Sequence, residues 1–314
     1  MKKLIVIDGF AILHRAYHAL PPLKAKDGTL TNAVYGFFSM FLKLLNDVRP
    51  DYIAVCLDRP APTFRQSLYV GYQAQRPSME SDLSLQIDLV HQALEKSKIK
   101  IFELDGYEAD DLIGTIAKQV VQNKEEIQVI IVSGDRDLLQ LVNPQVRMIA
   151  PVTGITKMIL FDEEKVEEKY GLKPHQFIDY KALVGDASDN YPGVSGIGPK
   201  TASNLLKEYE TFENIYKNLN KLPEGLALKL AQDAEQAALA KKLATIVLDA
   251  PIKIKIQDCS ANNIDREELV KFFENLGFKS LIERSQAGEK VQKVEKKQKK
   301  ETKEKKDNGQ LGLL

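Results

Sequence analysis

Residues 129–137 read Val-Ile-Ile-Val-Ser-Gly-Asp-Arg-Asp, an apolar run that ends in two aspartates. A continuous apolar run is typical of a strand that is covered on both faces of a sheet. Similar strands are predicted at Leu4–Asp8, Tyr52–Asp58 and Lys98–Glu103. Helical patterns lie between the strands, at Asn32–Val48, Ser84–Ser97 and Ala109–Asn123. This alternation predicts an α/β fold with a mostly parallel sheet sandwiched by helices.

The strand signal fades after about Asp162. Helical patterns then follow, separated by turns that contain Gly or Pro, at 162–170, 174–184, 199–209, 226–247 and 265–276. We therefore predict a sheet domain at 1–161 and a second, helical domain at 162–284. Residues 285–314 carry nine lysines and five acids and no aromatic residue. Such a segment buries too little apolar surface to fold alone, so we expect a disordered charged tail.

The composition excludes several classes of protein. The chain has 314 residues, 44% of them hydrophobic, which is enough for a core and excludes wholesale disorder. Two cysteines cannot form a disulfide framework or a cysteine-rich zinc site. No apolar run approaches the roughly 18 residues of a membrane helix, and the run before Asp8 is too short for a signal peptide. We therefore expect a cytoplasmic protein.

The net charge of zero hides an uneven distribution. The 44 basic residues balance 44 acidic ones over the whole chain, which at first argues against a nucleic-acid partner. The tail, however, carries +4 and residues 1–284 carry −4. Nine acids within 1–284 stand at positions typical of a metal site, and without them that part carries +5. The sum is thus compatible with basic surfaces that surround an acidic site.

These nine acids follow the predicted strands or stand in two doublets. They are Asp8, Asp58, Glu108, Asp110, Asp111, Asp135, Asp137, Asp186 and Asp189. Ligands of open α/β sheets bind beyond the carboxyl ends of the strands, so we expect the acids to converge there. Two such charges at ~4 Å repel by about 4 kcal/mol at an effective dielectric of 20, so convergence requires cations. Oxygen ligands suit Mg²⁺ or Mn²⁺, and two such ions would hydrolyse a phosphodiester. The alternative is that the acids are ordinary helix caps and turn residues.

A glycine-rich run at 192–206 reads Pro-Gly-Val-Ser-Gly-Ile-Gly-Pro-Lys-Thr-Ala-Ser-Asn-Leu-Leu. Its glycines permit tight turns with free amides, and Pro199 suits the first turn of the next helix. Amides at that helix start, with Lys200 and Thr201 beside them, can bind a phosphate. The run predicts a helix-hairpin-helix that grips the DNA backbone without reading its sequence. A plain helical packing unit is the alternative.

Residues 59–84 form a predicted arch between a strand and a helix. This segment offers Arg59, Arg65 and Arg76 together with Tyr69 and Tyr72. Basic residues interleaved with aromatic ones suit a single strand, because the charges bind phosphates and the rings stack on bases. The alternative is a mobile surface loop.

Taken together, residues 1–284 resemble the 5′-nuclease family, in particular the flap-endonuclease-like 5′→3′ exonuclease domain of bacterial DNA polymerase I. The motifs that carry the resemblance are Val-Ile-Asp-Gly (6–9), His-Arg-Ala-Tyr-His-Ala (14–19), Ala-Val-Tyr-Gly-Phe (33–37), Thr-Phe-Arg (63–65), Gly-Tyr-Glu-Ala-Asp-Asp (106–111), Ser-Gly-Asp-Arg-Asp (133–137) and Gly-Asp-Ala-Ser-Asp-Asn-Tyr-Pro-Gly-Val (185–194). The resemblance implies a PIN-like nuclease domain joined to a helix-hairpin-helix domain. It also implies removal of 5′ flaps and RNA primers with two Mg²⁺ ions, for which Mn²⁺ substitutes.

The resemblance implies roles for particular residues. One metal subcluster would comprise Asp58, Glu108, Asp110 and Asp111. The other would comprise Asp135, Asp137, Asp186 and Asp189, with Asp8 nearby. The implied DNA contacts are Arg15, Arg65, Tyr72, Arg76, Arg136, Gly193, Gly196, Gly198, Lys200 and Thr201. The carbonyl groups of Val194, Gly196 and Ile197 would bind K⁺.

Two departures from the family pattern concern cations. The family usually has a lysine after the arch tyrosine, where this chain has Gln73. Losing one electrostatic stabiliser costs roughly 10²–10³ in rate, and we hypothesise that Arg76 covers part of this catalytic role. Arg136 replaces a usual lysine, which keeps the charge but changes the geometry.

The last five residues are similar to the peptide that binds the bacterial sliding clamp. The residues concerned are Gln310, Leu311, Leu313 and Leu314. A flexible tether to the clamp would raise the local concentration of a nuclease at DNA junctions. The alternative is an incidental leucine-rich end.

We therefore expect a monomeric, nucleoid-associated 5′ nuclease. Its substrates would be nicked or 5′-flapped duplex DNA and RNA–DNA primer junctions, in lagging-strand maturation and repair. Two rival functions stay open. One is a PIN-like metal ribonuclease, which would not need a duplex-gripping hairpin. The other is a non-catalytic junction-binding protein tethered to the clamp.

Overall fold

A six-stranded sheet forms the centre of the computed structural model, which describes residues 1–123, 126–155 and 157–286. The strands are β1 (Lys2–Asp8), β2 (Tyr52–Cys56), β3 (Lys100–Phe102), β4 (Ile127–Val132), β5 (Val146–Thr153) and β6 (Lys157–Phe161). They lie in the order β3-β2-β1-β4-β5-β6. All neighbours are parallel except β5 and β6, which are antiparallel. The predicted mostly parallel sheet is therefore confirmed, although β5 and β6 were not predicted.

Helices separate and follow these strands. In the first part of the chain they are α1 (Gly9–Ala19), α2 (Asn32–Val48), α3 (Phe64–Leu68), α4 (Ser81–Lys96) and α5 (Ala109–Gln122). After β6 come α6 (Glu163–Tyr170), α7 (Gln176–Val184), α8 (Pro199–Tyr209), α9 (Phe212–Lys217), α10 (Glu224–Gln232), α11 (Ala234–Ala244) and α12 (Arg266–Leu276). A two-stranded hairpin of β7 (Gly185–Asp186) and β8 (Tyr191–Pro192) lies between α7 and α8.

The central strands are buried on both faces, as their apolar runs predict. In β1, Ile5 and Ile7 belong to the core that includes residues of α1, α2, α4 and α12. Leu4 and Val6 face the opposite core, which includes residues of α5, α7 and α8. Successive side chains of a strand point to opposite faces, so one short run of β1 serves both cores.

Gly9 explains how α1 begins directly after β1. A Cβ atom at this position would lie 2.5 Å from Cδ2 of Leu57 and 3.1 Å from the carbonyl oxygen of Cys56. A larger residue would therefore have to displace Leu57 and crowd the end of β2, which glycine avoids. Asp8 then caps the helix, because its Oδ1 accepts a hydrogen bond of 3.0 Å from the amide of Ala11.

The predicted helix at 226–247 is two helices in the structure, α10 and α11. The break falls at Asp233, whose Oδ2 accepts a hydrogen bond of 2.6 Å from the amide of Ser195. The break thus ties the helical pair to the glycine hairpin. After α11 the chain runs extended beside α5, where Gln119 accepts from the amide of Ile254 at 3.0 Å and donates to the carbonyl of Ile252 at 2.8 Å.

The end of the described chain returns to the sheet domain. Phe273 of α12 packs against Phe38 of α2 with ring centroids 5.3 Å apart, and Arg284 donates to the carbonyl oxygen of Ser39 at 2.8 Å. The boundaries at 161 and 284 stay a prediction. One part of the predicted helical domain at 162–284 nevertheless belongs to the sheet domain by its contacts. The apolar face of α12 packs against α2 and completes the core on that side of the sheet. The clamp-like residues 310–314 lie outside the described residues. Within the described residues, no helix combines the length and apolarity needed to span a membrane.

Candidate active site

The acidic residues meet at the carboxyl end of the sheet, near β1, where the strand order changes direction. From β1 the chain continues to β2 on one side, and its other neighbour is β4, so a crevice opens between β1 and β4. Asp8 ends β1, and its Oδ2 accepts a hydrogen bond of 2.6 Å from Ser133 Oγ, just after β4. The same Ser133 Oγ accepts from the amide of Asp135 at 2.9 Å. The segments that follow these two strands are thus tied together.

One cavity of about 540 Å³ brings most of the predicted acids together. The acids that line it are Asp8, Asp58, Glu108, Asp110, Asp135, Asp137 and Asp189. Asp186 lies in a neighbouring groove that Asp135, Asp137 and Asp189 also line. The convergence predicted from the strand ends therefore holds for eight of the nine acids, and the exception is Asp111.

Several of these acids hold protons more tightly than usual. Burial, helped by the charge of Asp58, raises the pKa of Asp8 to about 7. Burial, and the charges of Asp135 and Asp8, raise the pKa of Asp110 well above its ordinary value. Crowded carboxylates that lack a nearby cation bind protons for this reason. They are equally suited to bind a divalent ion.

A second cluster comprises Asp137, Asp186 and Asp189, whose carboxylate oxygens lie within 4.8 Å of one another. Lys181 of α7 places its ammonium group between two of them, since Nζ forms ion pairs with Asp137 and Asp186. An ammonium group thus occupies the position of a cation among oxygen ligands. This donor set fits a hard divalent ion such as Mg²⁺ or Mn²⁺.

Lys181 is not among the site residues predicted from the sequence. It precedes Asp186 by five residues, which is not a helical spacing, and the chain leaves α7 between them. Burial lowers the pKa of Lys181, but the charges of Asp137 and Asp186 outweigh this and raise it, so the ammonium stays charged. No local pattern of residues distinguishes it from an ordinary surface lysine.

Gly193, for which a DNA contact is predicted, also has a packing role in the structure. A Cβ atom at this position would lie 2.4 Å from the amide nitrogen of Gly185 and 2.4 Å from the carbonyl oxygen of Leu183. Gly185 itself has a φ of +78°. Because these two glycines let β7 and β8 pack closely, they fix the position of Asp186.

The predicted DNA contact at Arg65 and metal ligand at Asp111 require correction. Arg65 is 2% exposed and Asp111 is fully buried. They form two parallel hydrogen bonds of 2.7 and 2.8 Å, and Arg65 also donates to the carbonyl oxygen of Leu243 at 2.9 Å. Asp111 also accepts from the amides of Glu108 at 3.1 Å and Val247 at 2.9 Å. Neither side chain is free to bind a ligand, so the pair joins the arch to α5 and α11.

Tyr72 was predicted to contact the DNA strand, but the structure buries it. It is 4% exposed, and its hydroxyl lies 3.3 Å from Glu108 and 3.4 Å from Asp189. Its ring packs against that of Tyr191, with centroids 6.3 Å apart. A buried ring cannot stack on a base, so Tyr72 supports the acidic cluster instead.

Gln73 and Arg76 reach the same carboxylate. Gln73 Nε2 donates to Asp189 Oδ1 at 3.1 Å, and Arg76 Nη2 donates to that oxygen at 2.6 Å. Arg76 is half-exposed and also lines the acidic cavity. Arg76 therefore places a positive charge at the carboxylate that Gln73 also contacts.

A groove of about 720 Å³ extends from the acids to the glycine hairpin. Its basic residues include Arg136, which lies over the ring of Tyr170 at 6.0 Å, and Lys200 at the start of α8. This arrangement suits a phosphate backbone. Arg15 donates to the carbonyl oxygen of Gly154 at 2.9 Å. The DNA contacts of Arg15, Arg136, Gly193, Gly196, Gly198, Lys200 and Thr201 stay predictions.

We expect the free energy of unfolding in EDTA to fall as the pH rises. Burial raises the pKa values of Asp8, Glu108 and Asp137 to about 7, so the folded chain binds more protons than the unfolded chain between about pH 4 and pH 7. The loss is complete above about pH 7 and amounts to on the order of 2 kcal/mol or more. Urea unfolding at about pH 5 and about pH 8 measures it.

Asp8→Asn serves as the control, because asparagine can still cap α1 but does not titrate. It should reduce the difference between the two pH values. Added Mg²⁺ should restore stability at the higher pH, since a ligand of the folded state stabilises it. A wild-type chain that is more stable in EDTA at about pH 8 than at about pH 5 would contradict the expectation.

Comparison with known proteins identifies the family. A model described as 5'-3' exonuclease, N-terminal resolvase-like domain matches residues 3–171. A second, described as 5'-3' exonuclease, C-terminal SAM fold, matches residues 172–267. The chain belongs to the 5'-3' exonuclease family. The helical part of the structure thus corresponds to the SAM-fold part of this family.

Related proteins are of two lengths. The 5'-3' exonuclease of Aquifex aeolicus is 39% identical over 283 residues, which are 90% of this chain and 95% of that protein. The DNA polymerase I of Caldicellulosiruptor bescii is 42% identical over 292 residues, which are 92% of this chain but 34% of the relative. The chain thus spans about a third of the length of the DNA polymerase I relatives that it matches.

The fold matches a bacteriophage enzyme. The T5 D15 flap endonuclease, in a pseudo-enzyme-product complex with DNA and metal ions, aligns with a TM-score of 0.63 and 21% identity. The alignment covers 92% of this chain and 99% of that one. This chain therefore shares its fold, a mostly parallel sheet joined to a helical domain, with that enzyme.

Proposed function

We propose that this chain is a structure-specific 5′→3′ exonuclease and 5′-flap endonuclease that hydrolyses DNA and RNA primers. The observation that carries the proposal is the meeting of acids from β1, β2, α5, β4 and the β7–β8 hairpin at one crevice. Structural aspartates that cap helices have no reason to converge from separate segments. The groove with Arg136 and Lys200 beside them suits the substrate backbone.

Two divalent cations, Mg²⁺ with Mn²⁺ as a substitute, form part of the proposal. Asp58, Glu108 and Asp110 would hold one, and Asp135, Asp137, Asp186 and Asp189 the other, with Asp8 nearby. Bound there, the ions would supply a hydroxide nucleophile and stabilise the leaving oxygen. The crowding of the carboxylates and the ammonium group of Lys181 between Asp137 and Asp186 support this assignment.

The chain's own cations would position the substrate strand. Arg76 and Lys181 each contact a carboxylate of the second cluster, so a phosphate entering the cavity would meet positive charge beside the acids. Preorganised charge of this kind stabilises the transition state of phosphoryl chemistry. The Arg65–Asp111 pair holds the arch residues in place without contacting the substrate.

A labelled 5′-flap duplex tests the proposal and its rivals. We expect cleavage near the flap base that requires Mg²⁺ and disappears in Asp135→Ala. A PIN-like ribonuclease would cleave an RNA strand without requiring the duplex junction. A non-catalytic junction-binding protein would bind the flap duplex without cleaving it. Either result in the wild-type chain would reject the proposal.

Arg76 and Gln73 allow a paired prediction. Arg76→Ala should lower the rate of flap cleavage by about 10²-fold, because it removes the charge at Asp189. Gln73→Lys should raise the rate, at most about tenfold, because Arg76 already supplies part of this charge. Single-turnover kinetics with saturating flap measure both.

Lys271→Ala is the control. Lys271 is exposed on α12, pairs with Glu268 at 2.6 Å and lines neither the acidic cavity nor the groove, so its replacement should leave the rate near wild type. An unchanged rate in Arg76→Ala together with a large gain in Gln73→Lys would show that Arg76 does not take over the role of the family lysine that Gln73 replaces.

K⁺ at the glycine hairpin is a further part of the proposal. The carbonyl groups of Val194, Gly196 and Ile197 would bind it. The carbonyl oxygen of Gly196 lies 3.5 Å from Lys229 Nζ, and that of Val194 accepts a hydrogen bond of 3.0 Å from the amide of Ile197. Exchange of K⁺ for Li⁺ should then weaken duplex binding. An unchanged affinity would contradict the proposal.

The remaining partners also belong to the proposal. We propose a monomer that acts in the cytoplasm at the nucleoid, on primer junctions as well as flaps. The tail residues Gln310, Leu311, Leu313 and Leu314 would dock on the sliding clamp. A Leu313→Ala/Leu314→Ala variant should then lose clamp binding in a pull-down, while flap cleavage without clamp stays unchanged. Wild-type clamp binding by this variant would eliminate the docking role.

A further inference from the structure

The hydroxyl of Tyr191 has no role in the mechanism described so far. Tyr191 lies in β8, is 4% exposed, and packs its ring against Tyr72 at an angle of 16°. Among the described residues, its hydroxyl is one of two buried side-chain polar atoms without a hydrogen-bond partner, the other being Ser97 Oγ. Burying a donor without a partner costs free energy, and phenylalanine would pack against Tyr72 equally well. The hydroxyl therefore implies a partner that the protein itself does not supply.

The position of Tyr191 indicates where that partner lies. Tyr191 pairs directly with Asp186 in the β7–β8 hairpin, and residues paired in this way place their side chains on the same face. The charged groups that act on the Tyr191 hydroxyl are Lys181, Asp137, Asp186 and Asp189. All four belong to the second acidic cluster. The unpartnered hydroxyl thus lies beside the proposed cation site.

We propose that Tyr191 is a positioning residue whose hydroxyl donates a hydrogen bond to the oxygen ligands around a divalent cation held by Asp137, Asp186 and Asp189. This inference rests on the cation site of the proposed function. Hydrogen bonds from outside the ligand set orient metal-binding groups, and their removal weakens metal binding by about 10- to 100-fold. Tyr191 would act through the carboxylates, without contact with the reacting atoms.

Tyr191→Phe tests the inference, because it removes the hydroxyl and retains the ring that packs on Tyr72. Binding of Mn²⁺, measured by isothermal titration calorimetry without DNA, should weaken by about tenfold or more. The melting temperature in EDTA should stay the same or rise, since an unpartnered buried donor is removed. A purely structural hydroxyl would give the opposite pair of results, a lower melting temperature and an unchanged Mn²⁺ affinity, and that outcome overturns the inference.

Tyr216→Phe is the matched control. The Tyr216 hydroxyl donates to the carbonyl oxygen of Leu230 at 3.1 Å, so this variant should lose stability and keep the wild-type Mn²⁺ affinity. Asp186→Asn separates the inference from the proposed function. If Asp186→Asn binds Mn²⁺ as wild type does, the cation site is wrong and the role of Tyr191 falls with it. If Asp186→Asn loses Mn²⁺ binding and Tyr191→Phe does not, the role of Tyr191 alone is rejected.

Discussion

Replacing Asp186 by asparagine is expected to lower the rate of flap cleavage by at least about 10³-fold. The side chain keeps its shape but loses the charge that, with Asp137 and Asp189, makes a cluster of oxygens within 4.8 Å. The position of the backbone should not change, because Gly185 and Gly193 fix the β7–β8 hairpin by their close approach. Single-turnover cleavage in Mg²⁺ measures the loss.

Binding separates this effect from a loss of structure. Flap affinity in EDTA should be equal or higher in Asp186→Asn, because one negative charge near the phosphates is removed. Asp137→Asn should lower the cleavage rate to a similar extent. The double variant should cleave only slightly more slowly than either single variant, since the effects of residues that act as a unit are not additive. Asp249→Asn, an exposed residue outside the cluster, should keep the wild-type rate. A loss of less than about tenfold in Asp186→Asn would reject the assigned role.

The sequence was sufficient to predict the four parallel strands β1 to β4 and the edge of the sheet where the acids meet. The apolar runs at 4–7 and 129–132 are long enough to mark strands buried on both faces, and the acids that follow them stand at the edge where ligands bind. This inference needs only the direction of parallel strands. It does not need to know which side chains are in contact, and Asp8, Asp58 and Asp135 were placed correctly at the crevice for that reason.

The strands and helices that the sequence missed depend on tertiary contacts. β5 and β6 pair in an antiparallel hairpin at one edge of the sheet, where both strands are only partly buried and Pro151 interrupts the apolar stretch of β5. The helix predicted at 226–247 divides at Asp233, which is a compatible helix residue by propensity. The division follows from the hydrogen bond between Asp233 and the amide of Ser195, 38 residues earlier.

The roles of the arch residues were the least predictable. Arg65 stands among tyrosines and arginines, a composition that suits a nucleic-acid contact. Its burial depends on Asp111 and on the carbonyl groups of Leu243 and Thr245, which lie 46 to 180 residues away. The pattern around Arg65 in the sequence is the same whether or not these partners exist. Lys181 escaped notice for the same reason.

Replacing Arg65 by alanine is expected to lower the free energy of unfolding by about 3–5 kcal/mol. The change leaves Asp111, which is fully buried, without the two hydrogen bonds of 2.7 and 2.8 Å that balance its charge. It also removes the donors to the carbonyl groups of Leu243 and Thr245, and so loosens the join between the arch and the end of α11. Urea unfolding at constant pH in EDTA measures the loss.

The partner variant distinguishes a buried pair from a DNA contact. In Arg65→Leu/Asp111→Leu the unpaired charge is absent, so the double variant should be more stable than Arg65→Ala, even though both hydrogen-bonding groups are gone. Arg59→Ala should cost less than about 1 kcal/mol, since Arg59 pairs only at the surface. A DNA-contacting Arg65 would give a different pattern: wild-type stability in Arg65→Ala, weaker flap binding, and no benefit from changing Asp111. Reduced stability in Arg65→Ala is the expected pattern, because the guanidinium is already engaged in two hydrogen bonds with a carboxylate that has no exposed surface.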